Sequence, residues 1–148
     1  TDPSQKWSRS IESVLKYVDV LLVNEREAKA LTGRTNNREA LKALSQLVPC
    51  PVVKQGPKGA VAIQNDEVVA GPGFKVEAVD TTGAGDSFAA GFVSAYVRRS
   101  PLAECLRIAN ACGALSTRKL GGTRGQPTKA ELRMFFSRAK GQSREKIP

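Results

Sequence analysis

Histidine is absent from all 148 residues. Within this chain that excludes Ser-His-Asp and Cys-His nucleophile pairs, histidine-ligated zinc and every imidazole acid–base scheme. Cysteine is scarce: Cys50, Cys105 and Cys112 are odd in number and show no C-x-x-C spacing. Cys105 and Cys112 stand seven residues apart on an expected helix, hence on one face, and all three read as buried thiols of a reducing cytoplasm rather than as metal or redox ligands. No apolar run approaches the roughly 18–20 residues needed to cross a membrane. The polar start, Thr1 to Lys6, has no secretory apolar region. The one methionine is Met134, so Thr1 is expected not to be the natural beginning of translation, and the chain to be a piece of something longer.

What remains is ordinary for a folded domain. Hydrophobic residues make up 41% and charged residues 25%, and a domain of this length buries roughly two-thirds of its unfolded surface. The net charge of +9 is uneven. Residues 1–116 carry 14 basic and 12 acidic side chains, whereas residues 117–148 carry 9 basic and 2 acidic ones. A basic end of that kind could bind nucleic acid by counterion release. It has no interleaved aromatics for base stacking beyond Phe135-Phe136, which suit a core, and a solvated helix face with a polar tail accounts for it more simply. Arg118, Lys119 and Arg124 could also draw in a polyanion such as ATP.

Along the chain, apolar spacing predicts a helix over 11–18, then a buried strand at 19–23 ending at Asn24. A helix from Glu25 to Thr32 is closed by Gly33, and Asn36-x-x-Glu39 caps another that runs to about Leu47. Strands follow at 52–55 and 60–64, with a hairpin turn at Asn65-Asp66 into 67–70 and a short strand at 74–77. Helices are expected over 87–99, from the Ser100-Pro101 start to about Thr117, and from the Thr128-x-x-Glu131 capping box to about Ala139. Strands alternating with helices, then a run of helices, describe an α/β layered fold with a mostly parallel sheet flanked by helices.

One segment carries chemistry. Gly83-Ala84-Gly85-Asp86 stands at the mouth of a helix. First-turn N–H groups have no internal partner, small residues leave them unshielded, and the helix dipole adds positive potential. The result is an anion hole suited to a phosphate or to charge developing during phosphoryl transfer. Asp86, one residue on, could accept the proton of an attacking hydroxyl. The plain alternative is a tight turn into the helix with Asp86 as a dipole partner. The segment is neither a Walker A loop nor G-x-G-x-x-G, since Phe88 stands where the third glycine belongs.

Asp80-Thr-Thr-Gly-Ala-Gly-Asp86-Ser-Phe-Ala-Ala-Gly91-Phe-Val93 resembles the second signature of the PfkB (ribokinase-like) carbohydrate kinases. Asn24-Glu25-Arg26-Glu27 resembles that family's N-x-x-E motif at a strand end. Val52 to Ala60 resembles its nucleotide-side strand–turn–strand, and Ile108-Ala109-Asn110-Ala111 with the Gly121-Gly122 loop resembles the segments beside the adenine and a monovalent cation. Asp2-Pro3 resembles the start of the strand that opens the family's second half. The resemblance covers essentially all of residues 1–148, as the C-terminal, nucleotide-binding and catalytic part of a ribokinase-like fold.

That resemblance implies an ATP-dependent sugar kinase in which Asp86 is the base and the backbone of Gly83, Ala84 and Gly85 is the anion hole. It implies Mg²⁺ held by Asn24 and Glu27, largely through waters. Lys54, Gly56 and Gly59 would line the phosphate and ribose side, and Asn110 and Gly113 would flank the adenine. Asp80 and Thr82, with carbonyls near Ser116 and Gly121, would hold K⁺ or a similar cation. Plain alternatives stand beside these roles: Asn24 ends a strand, Glu27 is a first-turn acid, Asn110 is a satisfied helix amide and Asp80 caps a turn. Lys54 departs from the threonine common at its position. The family's N-terminal half and lid, with the sugar-contacting residues and the usual homodimer contacts, have no counterpart in the chain. One sheet edge is therefore expected to be open, and the chain is expected to be inactive alone. Ribose, fructose, 2-keto-3-deoxygluconate and nucleosides all remain open as substrates. A kinase-derived binding or regulatory fragment without catalysis is the alternative.

Overall fold

Successive residues of a strand point to opposite faces, so a run that is apolar throughout must be covered on both sides. In the computed structural model, which describes residues 9–144, that is how the strands are used. β1 (Val20–Asn24), β2 (Cys50–Lys54), β3 (Gly59–Gln64) and β4 (Glu67–Pro72) form one sheet in the order β1-β2-β3-β4. Cys50, Val52, Ala60 and Ala62 face one way, toward α4 (Ala84–Tyr96) and α5 (Leu102–Ser116). Val23, Val53 and Ile63 face the other way, onto a core with Ala28 of α2 (Glu25–Thr32) and Ala40, Leu41 and Leu44 of α3 (Asn37–Leu44). α1 (Arg9–Leu15) precedes β1, and α6 (Lys129–Arg144) closes the described chain. Asp2-Pro3 lies outside the described residues.

The layered α/β architecture is the expected one, but parallel pairing is confined to β1 and β2. β2–β3 and β3–β4 are antiparallel, so the sheet is mixed. The reason is connection length. The route from β1 to β2 passes through two helices, long enough to return the chain to the same edge, whereas a single 3₁₀ turn (Gly56–Lys58) and a two-residue hairpin can only reverse it. At the hairpin, Asn65 and Asp66 both take positive φ, 50° and 63°, the conformation such turns require.

Local signals set most helix ends. Asn24 and Glu27 form a reciprocal cap on α2, each side chain bonded to the other's backbone N–H at 2.8 Å. Asn36 Oδ1 accepts from the Glu39 N–H, and Thr128 and Glu131 cap α6 as the capping box predicts. The start of α5 differs from expectation. Pro101 occupies the cap position without a side-chain hydrogen bond, and Ser100 offers its carbonyl to the Cys105 thiol instead. No strand forms at 74–77. β4 ends at Pro72, paired with Gly59 at the beginning of β3, so no partner remains for it, and Phe74 turns toward α6 to meet Phe135 edge-on at 5.0 Å.

Cys50 and Cys105 are fully buried and Cys112 half-buried, all as free thiols. Burial, followed by the neighbouring Cys105, pushes the Cys50 thiol up to about 11. Among the described residues, no helix is long and apolar enough to cross a membrane.

Phe92 is completely buried where α4, α5 and the sheet meet. Phe92→Ala is expected to cost about 3–5 kcal/mol, transfer and cavity terms together, and chemical denaturation of the two proteins measures it.

Candidate functional site

Parallel strands put the ends of β1 and β2 at the same edge of the sheet, and their register pairs Asn24 with Lys54. Ligands of open α/β sheets gather outside such carboxyl ends. α4 begins beside them. Its N-cap is Gly83, at φ 74°, a conformation that favours glycine, and a Cβ there would stand 2.5 Å from the Gly122 carbonyl oxygen. The bend is therefore glycine for two independent reasons, backbone conformation and the close passage of the 121–122 loop.

This bend is not sealed into the interior. Gly85 and Asp86 are exposed, and Ala84 and Gly85 line a cavity of about 570 Å³ together with Lys54, Gly56, Gly59, Asn110 and Gly113. Sequence reasoning had assigned these positions to the phosphate and adenine sides, and the structure gathers them around one space. It missed Phe74, Val76, Ala78 and Ala114 of the same wall. Their signal was weak, because they sit in an irregular segment or on a helix face that reads as core. Lys54 Nζ lies 3.5 Å from the point where a Gly85 side chain would begin, so the missing side chain makes room for the ammonium group beside the amides.

The amides are not equivalent. Ala84 donates its N–H to the Thr81 carbonyl at 3.1 Å, and Ser87 donates to Gly83 at 2.9 Å. The backbone N–H groups of Gly83, Gly85 and Asp86 have no acceptor among the described residues. Ala84 thus lends its small size to the bend, and the unclaimed donors are its neighbours'. Asp86 stands exposed on the first turn of α4, outside the wall of the cavity.

Asn24 and Glu27 lie at the same edge but are bonded to each other in the α2 cap. Among the described residues no cluster of three acidic, histidine or cysteine side chains could hold a metal. A divalent ion here would have one carboxylate, Glu27, and would take its other ligands from water and phosphate, a donor set that suits magnesium. Asn110 is buried, and its Nδ2 donates to the carbonyls of Gly71 and Pro72 at 2.9 and 3.2 Å. It ties α5 to the end of β4 while forming part of the cavity wall.

Asp80 joins two loops. One carboxylate oxygen accepts from the Thr82 N–H and the other from the Gly121 N–H, each at 2.9 Å. These bonds, Thr82's first, hold its carboxyl below the usual aspartate value of 3.8. The Val79 and Asp80 N–H groups both donate to the Thr117 carbonyl, next to Ser116, whose own carbonyl is covered by Gly125. Asp80, Thr82, Ser116 and Gly121 therefore share one neighbourhood.

The model for the pfkB family of carbohydrate kinases matches residues 1–129. The chain belongs to this family. It is 36% identical over 137 residues to an ATP-dependent ribose-1-phosphate kinase of Halopiger xanaduensis, covering 92% of this chain and 45% of that protein. It is 33% identical over 147 residues to fructokinase-1 of Zea mays, covering 93% and 46% respectively. The crystal structure of a ribokinase from Thermotoga maritima superposes with a TM-score of 0.81 at 32% identity, over 91% of this chain and 46% of that one. The fold is therefore ribokinase-like. This pfkB chain spans about half the length of the relatives it matches.

Two outcomes are expected of this geometry. Gly83→Ala places a side chain against Gly122 in a left-handed conformation, and a loss of more than about 1–2 kcal/mol in denaturation experiments is expected. For Asp80 the folded-state carboxyl titrates below the unfolded one, so its contribution to stability is present above the ordinary value of 3.8 and is lost as pH falls through the depressed one. The stability difference between native protein and Asp80→Asn should accordingly shrink on acidification, as denaturation midpoints across that range would register.

Proposed function

We propose that residues 1–148 are the nucleotide-binding and catalytic part of an ATP-dependent sugar kinase of the pfkB family, transferring a phosphoryl group to a sugar hydroxyl. The observation that carries this reading is the mouth of α4. The amides of Gly83, Gly85 and Asp86 are unclaimed there, and Gly85 stands beside the Lys54 ammonium on the wall of a cavity large enough for a nucleotide.

ATP would supply the γ-phosphoryl group. The amides and the dipole of α4 stabilise charge that grows on its oxygens, and they do so without reorganising, because the bend is already set by Gly83 and the 121–122 loop. Lys54 adds a positive charge at the same point. Asp86, at the solvent-facing side of the bend, takes the proton from the attacking hydroxyl. Glu27, with Asn24, would orient Mg²⁺ through water. Asn110 and Gly113 would face the adenine, Gly56 and Gly59 the ribose and phosphates. Asp80, Thr82, Ser116 and Gly121 would hold K⁺ or a similar cation near the 121–122 loop, steadying the bend from behind.

The sugar itself belongs to the N-terminal half of the family's fold. β1 is an edge strand among the described residues, its Val20, Leu21 and Leu22 are only half-buried, and Val93 of α4 and Val97 just after it are exposed at 46% and 70%. These are the surfaces that half would cover, and without it we expect no turnover. A lid carried there would also provide homodimer contacts. Buried free thiols suit a cytoplasmic protein. The engagement of Asn24 and Glu27 with each other in the α2 cap favours a second reading, a binding or regulatory protein that keeps the fold without the chemistry. Sugar-dependent ATP hydrolysis or transfer by the full protein separates the two.

In a complete enzyme, Asp86→Asn should lower kcat by about 10²–10⁴-fold while ATP binding is retained, as steady-state kinetics and calorimetry would report. Unchanged kcat would remove Asp86 from the mechanism.

A further inference from the structure

A second cavity, of about 610 Å³, lies between α4, α5 and α6 and shares no wall residue with the one at the mouth of α4. Four cations, Arg98 from the turn after α4, Arg107 from α5, and Lys129 and Arg133 from α6, reach it, against one carboxylate, Glu104. That carboxylate is already neutralised: Arg107 grips it with two hydrogen bonds of 2.6 and 2.7 Å, and the same guanidinium lies 3.6 Å over the ring of Phe136. Arg98, Lys129 and Arg133 have no carboxylate within 4.0 Å among the described residues. Three uncompensated cations converging on one concave space repel one another, and a bound anion reverses that repulsion.

The floor of the cavity adds an independent sign. Ser87 lines it, is only 3% exposed, and its Oγ has no hydrogen-bond partner. Buried hydroxyls are almost always bonded, so this one leaves a donor and an acceptor open to a group in the cavity. A hydroxyl donor that shares one cavity wall with guanidinium and ammonium groups suits the oxygens of a phosphate, which guanidinium forks grip in a bidentate manner.

We propose that this cavity is a second anion site, specific for a small phosphorylated compound and separate from the site of phosphoryl transfer. Ser87 directly follows Asp86 on the first turn of α4, so an occupant held by Ser87 touches the helix that presents the proposed base. The binding claim stands without the kinase reading. Only an effect on turnover would rest on it.

The test is a titration of the full chain with inorganic pyrophosphate, followed by amide chemical shifts. Saturable shifts are expected at Ser87, Gly91, Ser94 and Arg98 and across 129–133, apart from any at 83–86. Removing charge-assisted bonds in Arg98→Ser/Arg133→Ser should weaken the first set by about tenfold or more and leave the second in place. Lys129→Ser should weaken the same set alone, and Ser87→Ala should weaken it without changing net charge. Lys42→Ser, on the far face, should have no effect. Shifts confined to 83–86, equal affinity in the double variant, or equal weakening by Lys42→Ser would each overturn the proposal.

Discussion

Everything at the strand ends depends on how closely α4 lies against α5. A Cβ at Gly91 would stand 2.9 Å from the Cys112 sulfur and 3.1 Å from the Ala109 Cα, so glycine lets the two helices approach until the small residues of each fill the other's gaps. Phe88 and Phe92 then lock the pair onto the sheet. Held there, α4 has its N-terminus fixed in direction and depth, and its first amides emerge next to Lys54. A helix packed further out would carry the same glycines and the same aspartate away from the Lys54 ammonium.

The second support comes from the loop side. Asp80 reaches 41 residues along the chain to Gly121, and the Gly121-Gly122 loop in turn passes behind Gly83. The bend is thus clasped between a helix pair on one side and a carboxylate-bridged loop on the other. Preorganisation of this kind is what electrostatic stabilisation requires, because donors that must first be turned into place give back much of what they contribute.

Much of this was legible in the residues, for identifiable reasons. The helix caps at Asn36 and Thr128, the Asn65-Asp66 turn and the glycine–aspartate bend are local: the residues that decide them are neighbours in sequence. What escaped was non-local. Nothing near Phe74 says that it will leave the sheet for Phe135 and Phe136, nothing near Asn110 says that its amide will tie down Gly71, and the engagement of the Ala84 amide by Thr81 is a detail of one turn's geometry. The parallel fraction of the sheet was overestimated because alternating strands and helices describe the β1–β2 crossover well, while the short turns on either side of β3 decide the rest. Site positions such as Lys54 and Gly85 were found through family likeness; their spatial adjacency emerged only from the fold.

Asn24 is both the last residue of β1 and the cap of α2, with no linker between them. An insertion or deletion at that junction would rotate the helix and shift the strand at once, so this edge of the sheet is closed to length variation as a lineage diverges. Tolerance is concentrated at the far ends of the elements, at the 33–36 connection and the Asn65-Asp66 hairpin, where extra residues would project into water. Drift in chain length among descendants of this sequence should therefore accumulate away from the Asn24 junction, leaving its spacing as a lasting record of ancestry.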